Sequence, residues 1–215
     1  MESDPSLVEC VRHLEMGGLL AFPTETVWGL AARADSEAAL ERLRAWKGRG
    51  VDHPLSVLVP EAGALDSLGF TVSERAANWM AAHWPGPLTL VMPCEPRFAP
   101  GIARHDGAVG VRCSPHAVAL ALAVEAWEAG IGVLTATSLN RSGEPAATTL
   151  GEARVVCGEG DAPEAIPIYH GGGDAGGQPP STVVDLAASE PVLLRAGPVA
   201  LESLPAPEMQ EEESD

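Results

Sequence analysis

The sequence predicts one α/β layered domain, on three observations. Short apolar runs of strand length alternate with segments that carry apolar residues at helical spacing. At 215 residues and 46% hydrophobic content, the chain fits one globular core, able to bury on the order of 70% of its unfolded surface. Polar residues recur where the strand-like runs end, which is where open α/β sheets collect ligands.

Taken in order, residues 6–16 read as a helix begun by Ser6 and stopped by Gly17-Gly18, and 19–22 as a short buried strand. A loop covers 23–30, a helix with alternating Ala, Leu and charge covers 36–46, and a strand covers 55–59. A third helix spans 73–83 and is broken by Trp84-Pro85-Gly86-Pro87 ahead of strands at 88–92 and 109–112. Residues 115–129 predict a strongly apolar helix with Pro115 in its first turn. Strands at 131–136, 166–169, 182–186 and 192–195 complete the pattern, the last followed by a short C-terminal helix. The glycine-rich stretch 171–180 reads equally as a linker and as a mobile lid. An acidic run, with five carboxylates between Glu208 and Asp215, follows Pro205-Ala206-Pro207 and predicts a disordered tail over 205–215 beyond a domain at 5–204.

Composition excludes several classes. A formal net charge of −17 repels nucleic acid, because gripping phosphates requires a basic face. Cys10, Cys94, Cys113 and Cys157 show neither CxxC nor Cys/His spacing, which argues against zinc and against a disulfide framework. The N-terminal residues lack the basic and apolar regions of a signal peptide, and no apolar run approaches the ~20 residues of a membrane span. A soluble cytoplasmic protein is expected.

Among the cations, twelve are arginine and one is lysine, Lys47. A lone, compact ammonium suits a phosphate chain where a planar guanidinium does not, although Lys47 also fits the basic last turn of a helix. Thr24 and Thr26, Arg112, Ser138 and Asn140, Ser181 and Thr182, and Arg195 all fall at strand ends. Singly, each has a structural reading as a turn hydroxyl, a cap or a surface arginine. Hydroxyls and arginines without a histidine–carboxylate pairing point to holding an oxyanion-rich substrate rather than to hydrolysis by a protein nucleophile.

An ordered set of segments carries a resemblance. These are Phe22-Pro-Thr-Glu-Thr-Val-Trp-Gly-Leu30, Lys47-Gly-Arg49 with His53-Pro54-Leu55, Trp84-Pro-Gly-Pro-Leu-Thr89 and Val109-Gly-Val-Arg112, followed by Ser138-Leu-Asn140 with Ser142-Gly143 and Thr148, Ser181-Thr-Val-Val-Asp185, and Leu194-Arg195-Ala-Gly197. Over roughly residues 5–204 the chain resembles the YrdC/Sua5 family of threonylcarbamoyl-AMP synthases, and several motifs in order are far more specific than one. The resemblance implies a single-domain YrdC-like fold, a twisted mixed sheet flanked by helices with a large open ligand cavity. It implies that L-threonine, bicarbonate and ATP become threonylcarbamoyl-AMP, with release of pyrophosphate. A separate transferase then passes the threonylcarbamoyl group to tRNA adenosine 37, so this acidic chain needs no direct tRNA contact.

Matched by motif, Thr26, Arg112, Ser138 and Ser181 resemble the threonine-binding residues, with the Arg112 guanidinium forked on the amino-acid carboxylate. Lys47, Arg49, His53, Ala108, Asn140, Thr148 and Arg195 resemble the ATP contacts, with Lys47 and Arg49 as the catalytic cations on the phosphates. Magnesium is implied with ATP, without a protein-built metal site. The chain departs from the family pattern at Trp28, where tyrosine is common, at Leu139, where alanine is frequent, at Leu58, where longer members have histidine, and at His170, often aspartate. Trp28, Trp46 and Trp84 read as packing residues rather than base-stacking platforms. Two competing readings are a non-catalytic, RNA- or nucleotide-binding paralogue of the YciO kind and the carbamoyl-transfer module of hydrogenase maturation proteins. The acidic surface counts against the first, and the lack of zinc-finger cysteines against the second.

Overall fold

The computed structural model describes residues 5–48, 50, 54–158 and 165–200. The N-terminal helix α1 (Leu7–Glu15) opens on a capping box: Ser6 Oγ accepts the Glu9 amide, and the Glu9 carboxylate accepts the Ser6 amide. Its inner face, Cys10, Val11 and Leu14, packs with Leu20 and Phe22 of β1 (Leu20–Pro23) and with the apolar helix α4 (Ala117–Glu128). A larger core holds Leu40 and Leu43 of α2 (Glu37–Lys47) and Trp79 and Met80 of α3 (Glu74–His83). Gly48, in the left-handed region at φ 66°, ends α2, where a side chain would be strained.

Two sheets position the polar residues. A small antiparallel sheet runs β1, β2 (Trp28–Ala31), β7 (Thr137–Ser138). The larger sheet is mixed and runs β6 (Leu134–Thr135), β3 (Val57–Leu58), β5 (Ala108–Arg112), β4 (Leu88–Pro93), β8 (Thr182–Asp185), β9 (Val192–Arg195). Its β3–β5 and β4–β8 pairs are parallel and the others antiparallel. Completing the chain order, α5 (Leu150–Cys157) follows β7.

The structure revises several expected elements. The single strand expected at 131–136 is two: Leu134–Thr135 pair in the large sheet, the chain turns at Ala136, and Thr137–Ser138 join the small one. That switch is fastened by the Ala136 amide on Ser56 O at 2.7 Å and the Thr135 amide on Ala32 O at 2.8 Å. Three residues of the expected loop at 23–30, Trp28 to Leu30, belong to β2, whose all-buried Trp-Gly-Leu-Ala run lacks the alternation that marks a half-exposed strand. The strand expected at 55–59 narrows to Val57–Leu58, and 166–169 contributes only the bridge of Ile168 to Ala21. Pro115 lies ahead of the helix, not in its first turn: the His116 imidazole accepts the Val118 amide at 3.3 Å and so makes His116 the cap of α4. No helix follows β9 within residues 196–200, and the expected tail at 205–215 lies outside the described residues. Helix α5 was missed, although Thr149-x-x-Glu152 forms a full capping box at its start. Among the described residues, no helix is long and apolar enough to cross a membrane.

Candidate active site

A cavity opens where the two sheets meet, lined by Thr24, Thr26, Trp28, Ser56, Leu58, Thr89, Arg112, Ser138, Ser181 and Arg195, among others. Each polar member comes from a strand end or from the residues next to it. Thr24 and Thr26 sit in the turn between β1 and β2, Arg112 ends β5, Ser138 ends β7, Ser181 precedes β8 and Arg195 ends β9.

The turn is a closed hydroxyl relay. Thr24 Oγ1 donates to Val27 O at 2.7 Å, so its single proton is spent and Thr26 Oγ1 must be the donor in their mutual 3.0 Å bond. Thr26 Oγ1 in turn accepts Arg112 Nη2 at 3.2 Å. Arg112, buried, is ion-paired with Glu25, whose other oxygen accepts the Ser114 hydroxyl. The buried Arg112 Nε has no hydrogen-bond partner. Across the cavity, Ser181 Oγ bonds Thr89 Oγ1 at 2.8 Å and accepts Arg195 Nη2 at 3.0 Å, while Arg195 Nε donates to Ser181 O at 2.9 Å. Partial burial of the Arg195 guanidinium and the nearby positive charge of Arg112 both push its pKa below the usual arginine value. Two guanidiniums that oppose one another across hydroxyls make a field that favours an anion between them.

Lys47 does not line the cavity; it is buried immediately behind it. Its ammonium meets Ser138 O, Asn140 O at 3.1 Å and Asn140 Oδ1 at 3.0 Å. Asn140 is locked further, since its Oδ1 accepts Ser138 Oγ at 2.7 Å and its Nδ2 donates to Glu144 O at 2.7 Å. The Ser142 amide returns to Lys47 O at 2.8 Å, so the α2 terminus and the segment after β7 form one unit.

Thr26, Arg112, Ser138, Ser181 and Arg195 are thus brought together, with Lys47 and Asn140 one layer beneath. Ala108 is not: it stands at the far end of β5 from Arg112, on the order of 13 Å away along the strand. Thr148 is exposed, and its amide and hydroxyl both bind Glu152 Oε2, at 2.7 and 2.8 Å. Arg49 and His53 lie outside the described residues. Sequence reasoning overlooked Glu25, Thr89 and Ser114 as site residues. Glu25 and Thr89 stand inside the quoted motifs and could have been found there, whereas nothing local marks Ser114. Of the departures, Leu58 and Trp28 line the cavity, Leu58 pairing in register with Arg112, while Leu139 is in the core and donates its amide to Trp28 O. Trp46 also packs in the core, with the Arg141 guanidinium 4.1 Å over its ring, and Trp84 packs against that core with its indole on Leu88 O.

The profile of the Sua5/YciO/YrdC family, described as telomere recombination, matches residues 12–197. A putative threonylcarbamoyl-AMP synthase of Mycobacterium leprae is 35% identical over 195 residues, which span 91% of this chain and 84% of that protein. The crystal structure of Pyrococcus abyssi Sua5 complexed with L-threonine superposes with a TM-score of 0.79 at 35% identity. It covers 91% of this chain, which spans only 55% of the Pyrococcus protein. The crystal structure of E. coli YciO, at 20% identity and a TM-score of 0.76 over 94% of this chain and 95% of that one, shares the fold. With its profile matched over most of its length and relatives 35% identical across nine-tenths of it, the chain belongs to the Sua5/YciO/YrdC family.

Proposed function

We propose that this chain is a threonylcarbamoyl-AMP synthase, joining L-threonine, bicarbonate and ATP with release of pyrophosphate and water. The observation that carries the reading is the convergence of Thr26, Arg112, Ser138 and Ser181 on one cavity, in a chain 35% identical to a Sua5 that was crystallised with L-threonine. Arg112 is the group for the threonine carboxylate: it lines the cavity and is fixed there by Thr26 and Glu25. Glu25 pairs with it and keeps the guanidinium in place.

The chemistry asks for positioning and charge rather than a protein nucleophile. The threonine amine attacks carbon dioxide derived from bicarbonate, forming the N–C bond of a carbamate and losing a proton. A carbamate oxygen then attacks the α-phosphorus, the α–β phosphoanhydride bond breaks, and pyrophosphate leaves. In this account Arg195, Lys47 and Asn140 serve the nucleotide side. Arg195 meets the phosphates directly across from Arg112, while the Lys47 charge and its hold on Ser138–Asn140 shape the wall beneath them. Arg49 and His53 complete the ATP contacts in this account, in which Ala108 and Thr148 take no part at the cavity. On the same reading Mg2+ is carried in on the ATP phosphates; among the described residues no group of three or more His, Cys, Asp or Glu could hold a metal ion. The product then goes to a separate tRNA-modifying transferase in the cytoplasm.

The test is label transfer. With labelled bicarbonate, threonine and Mg-ATP, the purified chain should yield a labelled adenylate with the mass of threonylcarbamoyl-AMP. Absence of label in a protein that still binds ATP would favour a YciO-like binding role.

A further inference from the structure

Trp28 and the glycine-rich stretch 171–180 were both marked in the sequence, and in the structure one carboxylate joins them. Asp174 Oδ1 accepts the Trp28 indole N–H at 2.8 Å and its own neighbour's amide, Ala175, at 2.8 Å. Asp174 Oδ2 accepts the Leu150 amide, the first of α5, at 3.1 Å. Two residues on, the Gly176 amide donates to Thr24 O at 2.9 Å, and a Cβ on Gly176 would lie 2.2 Å from Glu25 O. Only glycine lets the stretch approach the substrate turn this closely. The His116 ring bonds Asp174 O at 3.0 Å, a further tie to the start of α4.

We infer that Asp174 is a positioning residue for threonine: it latches the 171–180 stretch across the Thr24–Thr26 turn and fixes Trp28, setting the hydroxyl relay that orients Arg112. The inference rests on the synthase reading for its substrate. The contacts run without a gap from strap to site. Asp174 holds Trp28 and the strap, Gly176 holds the Thr24 carbonyl, Thr24 accepts the Thr26 hydroxyl, and Thr26 accepts Arg112. The Trp28 backbone also carries Leu139 through its carbonyl and reaches Ala147 through its amide, both at 2.8 Å. Trp28 is fully buried, so its indole N–H needs this acceptor or goes unpaired. The carboxylate form suits the place. Burial alone would raise its pKa, but the Leu150 amide, the Trp28 indole and the Ala175 amide, with His170 nearby, hold it below the ordinary value. A negative charge at the first turn of α5 is favourable for the same electrostatic reason.

The experiment uses the full chain and the variants Asp174→Ala, Asp174→Asn and Trp28→Phe. Steady-state kinetics should show the KM for threonine rising roughly tenfold in Trp28→Phe, the loss of one charge-assisted hydrogen bond, and at least tenfold in Asp174→Ala, which loses three, with kcat and the KM for ATP within about twofold in the Asp174 variant. Asparagine, which keeps one acceptor oxygen, should fall between alanine and the parent. Hydrogen–deuterium exchange should quicken over 172–178 and 24–28 in the alanine variant while the β4 and β8 peptides stay protected, which separates an opened strap from a misfolded protein. A threonine KM within twofold of the parent, a kcat that falls as far as KM rises, or unchanged exchange over the strap overturns the inference. A parent chain with no threonine-dependent turnover sinks the synthase reading instead, and strap exchange in the alanine variant still decides whether the latch exists.

Discussion

Replacing Lys47 with methionine keeps most of the side-chain volume and removes only the ammonium. That ammonium is 1% exposed and meets two backbone carbonyls, Ser138 O and Asn140 O, as well as Asn140 Oδ1. Asn140 Oδ1 keeps the Ser138 hydroxyl after the change, so the loss falls on the carbonyls. At about 1–3 kcal/mol for each buried acceptor left unsatisfied, the gross cost is about 2–6 kcal/mol. Relief from burying a charge offsets about 1–2 kcal/mol of this, leaving about 1–4 kcal/mol. With a urea slope near 2–3 kcal/mol per molar, the unfolding midpoint should fall by about 1 M. Titration calorimetry on the folded variant should show a larger loss for ATP than for threonine, because two of the three Lys47 contacts hold Asn140, which is assigned to the nucleotide side. An unchanged midpoint would refute the network, and equal small losses for both substrates would refute the assignment of the nucleotide side to Lys47.

Other outcomes follow from the same geometry. Arg112→Ala should weaken threonine binding at least tenfold by calorimetry while ATP affinity changes much less; the reverse ranking would overturn its role. Glu25→Gln breaks the largely buried pair with Arg112 and should cost about 3 kcal/mol, lowering the thermal midpoint by about 6–12 °C in a scanning measurement. Asp106 is held down to about 2, chiefly by the Arg104 guanidinium, from an ordinary 3.8. Because its folded pKa is depressed, its stabilising contribution is present above about pH 4 and is lost as pH falls through about 2. Urea midpoints measured between pH 5 and pH 2 should therefore drop less steeply in Asp106→Asn than in the parent chain.

Local rules carried α1 to α4 and most strands, because Ser6, Ser36 and Ser73 cap helices whose apolar faces repeat at the helical period, while α5 went unread despite its capping box. They failed where tertiary structure overrides period. Trp28–Ala31 is buried on both faces, so no alternation marks it as a strand, and Ala136 turns the chain between sheets for reasons that lie in Ser56 and Ala32, far away in sequence. The cavity side chains were legible because they sit at strand ends in motif order. Their pairing was not: the Arg112–Glu25 ion pair spans β5 and the first turn, and the Asp174–Trp28 bond spans 146 residues. Ala108 and Thr148 were drawn from motif position alone, and the geometry keeps them away from the Arg112 side of the cavity. Lys47 stood out by its rarity, and its burial under Ser138 and Asn140 needed coordinates to be seen.

The most direct measurement of the central claim is pyrophosphate release from Mg-ATP by the purified chain, with threonine and bicarbonate each supplied or withheld. The synthase account predicts release only when both are present. Release without threonine, or none with every substrate supplied and ATP bound, would contradict it.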